Sequence, residues 1–298
     1  MSKTGKWLII IFGIILAFTF FLFLIFISLF SDSDTENVST GSNGTIALIE
    51  LKETITGSEN IVRQLKQYRE SKNVAAIVLR IESPGGGVAP SQEIYQEIKK
   101  TKKIKPVVVS MGSVAASGGY YIAVGADKIV ANPGTVTGSI GVISQFMHYN
   151  ELMQKLGITS TTVKSGKLKD AGSPFRTATK EDILYFQEMI DDIYEQFVSS
   201  VAEERHLEKT VVKKLADGRV FTGRRAYELK LIDTLGTYED AIAIASKLAN
   251  ISGMPTVIRE RKKEKLSDLL FGSIAKELHQ LRHEMGGFNA VQYLLQLP

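Results

Sequence analysis

Residues 7–30, WLIIIFGIILAFTFFLFLIFISLF, carry no charged side chain over 24 consecutive positions. As a helix this run is about 36 Å long at roughly 1.5 Å per residue, enough to cross a hydrocarbon core of ~30 Å. Lys3 and Lys6 precede it, and Asp32, Asp34 and Glu36 follow it. Positive charge is retained on the cytoplasmic side, so the expected order is a cytoplasmic N-terminus (1–6), one transmembrane helix (7–30) and an extracytoplasmic remainder. The alternative, a cleaved signal peptide, has a shorter apolar stretch of ~7–15 residues ending in small residues, and residues 26–30 offer no such site.

Residues 31–44, SDSDTENVSTGSNG, read as a flexible tether with a single apolar side chain. The folded domain is expected at 45–255, followed by a charged and amphipathic extension at 256–298. Within the domain, residues 45–51, 74–81 and 106–110 are short apolar runs rich in branched side chains, as in strands buried on both faces. Helical stripes alternate with them: Ile61, Leu65 and Tyr68, then Ile94, Tyr95 and Ile98. Strand, helix, strand, helix predicts an α/β domain with a largely parallel sheet. A long amphipathic helix is expected over 179–205, with Ile183, Phe186, Ile190, Ile193, Tyr194 and Phe197 on one face, and another over 238–248. In the extension, residues 259–265 form a charged run, Leu270, Ile274, Leu278, Leu281 and Met285 form a helical stripe, and VQYLLQLP ends the chain.

Composition narrows the chemistry. Cysteine is absent, which removes thiol nucleophiles, disulfides and Cys-based metal sites. The formal net charge of +4, with basic residues scattered, gives no argument for nucleic acid. Two glycine-bearing turns follow apolar strands, ESPGGG at 82–87 and ASGGYY at 116–121. In an open α/β sheet the edge at the strands' carboxyl ends receives ligands, and N–H groups on such turns can face a developing oxyanion. Each turn alone is equally at home as a structural loop, and Ser117 as the N-cap of the helix that follows. Ser117 also stands where a nucleophile stands, at a strand end with glycine after it. None of the four histidines lies in a Gly/Ser-rich context suited to a triad. A neutral lysine can replace histidine as base if an apolar cleft lowers its pKa. The segment VKSGKLKDAGSP offers Lys164, Lys167 and Lys169, and spacing alone does not choose among them.

The segments LRIESPGGGV, SMGSVAASGGYYIAVGADKIVANPGTVTGSIGV, VKSGKLKDAGSP and ADGRVFTGRRAYELKLIDTLG together resemble the signal peptide peptidase A (protease IV) family, in order over nearly all of residues 45–250. The length resembles the short, single-repeat bacterial form. The resemblance implies a crotonase/Clp-type protease fold and a Ser-Lys dyad, with Ser117 as nucleophile and Lys169 as general base. It implies Gly86 and Gly118 as oxyanion-hole donors and Ser139 as the hydroxyl that orients the lysine. It implies a membrane-anchored serine endopeptidase acting on remnant signal peptides and other peptides, with no cofactor and no metal. It further implies a ring-like homo-oligomer whose tail can lie in a substrate groove. The departures are Lys230, where glycine is common, and Glu82, where Asp or Asn is frequent. Two rivals share such a fold: an acyl-CoA enzyme, which needs a catalytic carboxylate at the turns, and a non-catalytic membrane scaffold, against which the intact Ser117 and Lys169 argue.

Overall fold

The computed structural model describes residues 7, 12–21, 23, 35–39, 44–260 and 292–294. Its N-terminal residues and its main body form separate compact units. Residues 12–21 are helical, and Phe12, Ile14, Ile15, Leu16, Phe18, Phe20 and Phe21 are all exposed. Thr19 turns its hydroxyl inward onto the carbonyls of Ile15 and Leu16, at 2.9 Å each. Among the described residues no helix is long and apolar enough to cross a membrane. The other residues of the expected anchor, and the expected stripe over 270–285, lie outside the described residues.

The strands are β1 (Thr35–Ser39), β2 (Thr45–Lys52), β3 (Val74–Ser83), β4 (Gly85–Gly87), β5 (Val107–Ala116), β6 (Lys128–Ala131), β7 (Val136–Gly138), β8 (Val220–Thr222), β9 (Thr234–Leu235), β10 (Thr256–Glu260) and β11 (Gln292–Leu294). The helices are α1 (Glu59–Glu70), α2 (Val88–Lys102), α3 (Gly118–Ala123), α4 (Asn150–Lys155), α5 (Lys180–Arg205), α6 (Lys209–Leu215), α7 (Gly223–Glu228) and α8 (Tyr238–Leu248). The sheet runs β10-β2-β3-β5-β6-β9, with every neighbouring pair parallel. The expected α/β architecture is therefore present. The sheet extends past the expected domain end at 255 to take in β10, and β1 is a strand inside the segment expected as a tether.

Successive side chains of a strand point to opposite faces, and β2 shows the consequence. Ala47, Ile49 and Leu51 pack with Leu65, Tyr68, Ile94 and Ile98 of α1 and α2, while Ile46 and Leu48 pack with Ala241, Ile242 and Ala245 of α8. Two apolar layers thus clamp the sheet, and each fully buried Ile, Leu or Val contributes about 1.5–3 kcal/mol relative to an exposed one. Capping boxes start α5 (Thr179 with Asp182) and α8 (Thr237 with Asp240), meeting backbone N–H groups that the first turn leaves unpaired. Helix α5 presents the expected face: Phe197 is buried and Phe186, Ile190, Ile193 and Tyr194 are half-buried, while Ile183 at its N-terminal end is exposed.

Candidate active site

A single residue, Ser117, separates β5 from α3. Its backbone sits at φ 53°, ψ −116°, a conformation that L residues with a Cβ rarely adopt and that costs on the order of 1–3 kcal/mol. Two backbone bonds hold it there: Ser117 N–H donates to the Gly138 carbonyl at 2.8 Å, and Tyr121 N–H donates to the Ser117 carbonyl at 2.8 Å. Although Ser117 occupies the N-cap position of α3, its side chain makes no capping hydrogen bond. The hydroxyl is thus left for another use. Ser117 is 1% exposed.

The second glycine turn lies alongside. Ile55 N–H donates to the Gly85 carbonyl and Gly87 N–H to the Ile55 carbonyl, each at 2.8 Å. Since strand N–H and C=O groups alternate sides, the N–H and C=O of Gly86 face away from Ile55. On that side β11 pairs antiparallel with β4, matching Tyr293 to Gly86. Gly86 has no room for a side chain: a Cβ would lie 2.2 Å from the Ile55 carbonyl oxygen and 2.6 Å from its nitrogen. Gly86→Ala is therefore expected to lower thermal stability together with kcat, because the strand must leave Ile55 to admit the methyl. Melting curves and peptide turnover check this, and an Ala variant with wild-type values of both contradicts it.

Ser139 lies beside Ser117. Parallel pairing of β5 with β7 matches Ala116 to Gly138, so Ser117 and Ser139 leave adjacent strands at the same level. Ser139 is buried at φ 50°, and its N–H donates to the Arg219 carbonyl at 2.9 Å. It borders a cleft of about 490 Å³ with Gln187, Tyr194 and Asp217 among its other walls. The fold thus brings Ser117, Gly118 and Ser139 together.

Lys169 stands apart. It lies on a short 3-10 turn, Lys167–Asp170, exposed, and among the described residues no hydrogen bond joins it to Ser117. The three lysines nonetheless differ. Lys164 pairs with Asp170 at 2.5 Å and Lys167 pairs with Glu181, whereas Lys169 has no ion pair or hydrogen bond to its side chain among the described residues. Of the histidines, His148 and His206 make no hydrogen bond to Ser117, and His279 and His283 lie outside the described residues.

The lysine-bearing turn is braced by a feature that the sequence reading did not single out. Arg176 bridges Asp170 at 2.9 Å and Asp182, the partner of Thr179 in the capping box of α5. Both carboxyls are held well below the usual carboxylate range, Asp170 by Arg176 and then Lys164, Asp182 by Arg176 and then the Thr179 N–H. A depressed folded-state pKa stabilises fully above the ordinary value of ~4 and is lost as pH falls toward the folded-state value. Hydrogen-exchange protection over 164–182 should therefore hold from neutral pH to about 5 and decline only below ~4. Protection already lost between pH 7 and 5 contradicts this bracing. An Asp-x5-Arg-x5-Asp spacing was the available signal, and it is weak without the fold.

The Peptidase family S49 model matches residues 99–252, from the last turn of α2 through Ser117 and the lysine-bearing turn to just beyond α8. The chain belongs to peptidase family S49. Family membership makes it a serine protease. A Clp protease model also matches residues 43–135, the sheet half that carries both glycine turns. The chain is 45% identical to a Synechocystis protein provisionally named a protease, over 71% of this chain and 77% of that one. It is 38% identical to Protease 4 of Haemophilus influenzae, over 70% of this chain and 34% of the relative. It is 36% identical to the chloroplastic serine protease SPPA of Arabidopsis thaliana, over 72% and 32%. The chain thus spans about a third of the length of the latter two family members. Among solved structures, a Listeria monocytogenes ClpP1 variant is 18% identical at a TM-score of 0.46, covering 65% of this chain and 93% of that one.

Proposed function

We propose that this S49 member is a membrane-anchored endopeptidase of crotonase/Clp-type fold in which Ser117 attacks the peptide carbonyl and Lys169 is its base. The observation that carries the proposal is Ser117 itself: a buried serine in a strained turn between strand and helix, its hydroxyl not used as a cap. In the reaction the Ser117 Oγ–C bond forms as the hydroxyl proton passes to Lys169 Nζ. Charge on the former carbonyl oxygen is met by the N–H groups of Gly86 and Gly118, each such donor worth about 2.7–4 kcal/mol in acyl transfer. Collapse breaks the C–N bond, and Nζ returns the proton to the leaving amine. A water then deprotonated by the same amine releases the acyl group from Ser117.

Three features support the details. Lys164 and Lys167 are engaged in ion pairs with Asp170 and Glu181, which leaves Lys169 as the amine of this segment with no such partner among the described residues. The segment around Lys169 exposes the apolar side chains Val163, Leu168 and Phe175, so a surface covering that segment would place the amine in the dry setting its neutral form requires. The ring-like homo-oligomer supplies that cover in this proposal. The antiparallel pairing of β11 with β4 supports strand addition at the Gly86 turn as the mode of peptide binding.

The apolar helical residues 12–21, with phenylalanines exposed all round and Thr19 hydrogen-bonded internally, suit a lipid surrounding. With Lys3 and Lys6 inside and the three acids outside, the catalytic domain would lie on the extracytoplasmic face of the cell membrane, where remnant signal peptides are natural substrates. The acyl-CoA alternative needs a free carboxylate at the turns, and the carboxylate of Glu82 is bound by backbone N–H groups of Ser113 and Val114. The test is incubation of the full-length protein in membranes with synthetic signal peptides, with cuts mapped by mass spectrometry. Cleavage within the apolar cores, abolished by Ser117→Ala, is expected; intact signal peptides alongside cleavage of acyl-CoA thioesters would overturn it.

A further inference from the structure

Strand β5 contains an irregularity just before the nucleophile. Its parallel pairing with β3 runs in step to Ile81–Met111 and resumes at Ser83–Ala115, so one residue of β3, Glu82, faces three of β5. The surplus lies at 112–114. There β5 also changes its other neighbour, from β6 (Met111 with Ala131) to β7 (Val114 with Val136). A bulge of this kind bends a strand, re-aims the side chains beyond it and leaves backbone groups without ladder partners.

Those groups are met by named side chains. The Glu82 carboxylate accepts Ser113 N–H on Oε2 at 2.8 Å and Val114 N–H on Oε1 at 3.1 Å. Thr135, buried, donates its hydroxyl to the Gly112 carbonyl at 2.7 Å, and Thr137, also buried, donates to the Ala115 carbonyl at 2.7 Å. Gly112 is shaped to the carboxylate: a Cβ there would lie 1.7 Å from Glu82 Oε2. Glu82 is itself anchored, its carbonyl accepting Glu53 N–H at 3.0 Å. Beyond the bulge only Ala115 and Ala116 intervene before Ser117.

We infer that Glu82 is a positioning residue for the nucleophile: its carboxylate, by holding the Ser113 and Val114 N–H groups of the 112–114 bulge, sets where β5 delivers Ser117 relative to the Gly86 turn. The inference rests on the proposed role of Ser117. It also connects the two glycine turns, since Glu82 opens ESPGGG and grips the strand that ends in ASGG. A charge-assisted, two-pronged grip is stronger than neutral hydrogen bonds, and an amide at the same place has a single acceptor oxygen and turns N–H donors toward N–H.

The test compares wild type, Glu82→Gln and Gly112→Ala in the full-length protein by active-site titration with a fluorophosphonate, followed by the pre-steady-state acylation rate per titrated site on a fluorogenic peptide. The expected result is a fall of about 10- to 100-fold in acylation rate per site, the penalty of a small misplacement of a reacting group, with KM little changed. Gly112→Ala, which displaces the carboxylate without removing it, should lose as much, and the double variant should be no worse than either, because both break one contact. A role confined to stability would lower the titrated fraction and Tm but leave the rate per site at the wild-type value. That result in either folded variant overturns the inference while leaving Ser117 in place. Wild type that fails to titrate at Ser117 removes the nucleophile, and this inference with it.

Discussion

Ser117→Gly should yield a protein that melts at a higher temperature than wild type and does not cleave peptides. The backbone at φ 53°, ψ −116° is one that glycine adopts freely and that costs a residue with a Cβ on the order of 1–3 kcal/mol. Relief of that cost is partly offset by glycine's greater chain entropy, about 0.5–1 kcal/mol. The net gain should raise Tm by roughly 2–4 °C per kcal/mol for a domain of this size. Ser117→Ala keeps the Cβ in the strained turn, so it should melt near wild type and be equally inactive. Removing a nucleophilic serine from another serine protease costs about 10⁶ in kcat. Calorimetry and turnover of one fluorogenic peptide measure both effects. A glycine variant less stable than the alanine variant would show that the turn is not strained, and retained turnover in either would exclude Ser117 as nucleophile.

Lys169→Ala should lower kcat by about 10²–10⁴, the usual contribution of a positioned general base, with folding intact because the side chain makes no contact that packing depends on. Lys169→Arg should fail equally, since a guanidinium stays protonated in a protein. Lys164→Ala and Lys167→Ala remove ion pairs with Asp170 and Glu181 and should change kcat only modestly. The steady-state rate of the wild type should rise with pH as the fraction of neutral amine grows. A Lys169→Ala protein as fast as wild type beside a dead Lys164 or Lys167 variant would move the base to another lysine.

The sheet was legible because its central strands are buried on both faces, so residues 45–51 and 74–81 read as unbroken apolar runs. The continuation of β5 through Ala116 was not, because a bulge stabilised by Glu82, from a strand thirty residues earlier, leaves no local pattern. Strands β7, β8 and β9 are two or three residues long and exist only through pairing, which no periodicity announces. Ser117 was legible as a candidate from the strand, Ser-Gly-Gly and helix order, but the observation favouring nucleophile over cap is a backbone angle and an absent hydrogen bond. Among the lysines, spacing left three equal candidates. The acids that pair with two of them, Asp170 with Lys164 and Glu181 with Lys167, lie six and fourteen residues further along the chain. The stripe of α5 was legible from its helical spacing, and of its members Ile183, at the N-terminal end beyond the reach of the core, is exposed.

The Ser117–Lys169 pairing is tested most directly by fluorophosphonate labelling of the full-length, membrane-reconstituted protein, with the labelled peptide identified by mass spectrometry and its rate followed from pH 6 to 10. The account predicts a single adduct on Ser117 whose rate rises with pH in wild type, Lys164→Ala and Lys167→Ala. In Lys169→Ala the same adduct should form at least about 100-fold more slowly. An adduct on any other residue, or a Lys169→Ala protein labelled at the wild-type rate across the pH range, would contradict it.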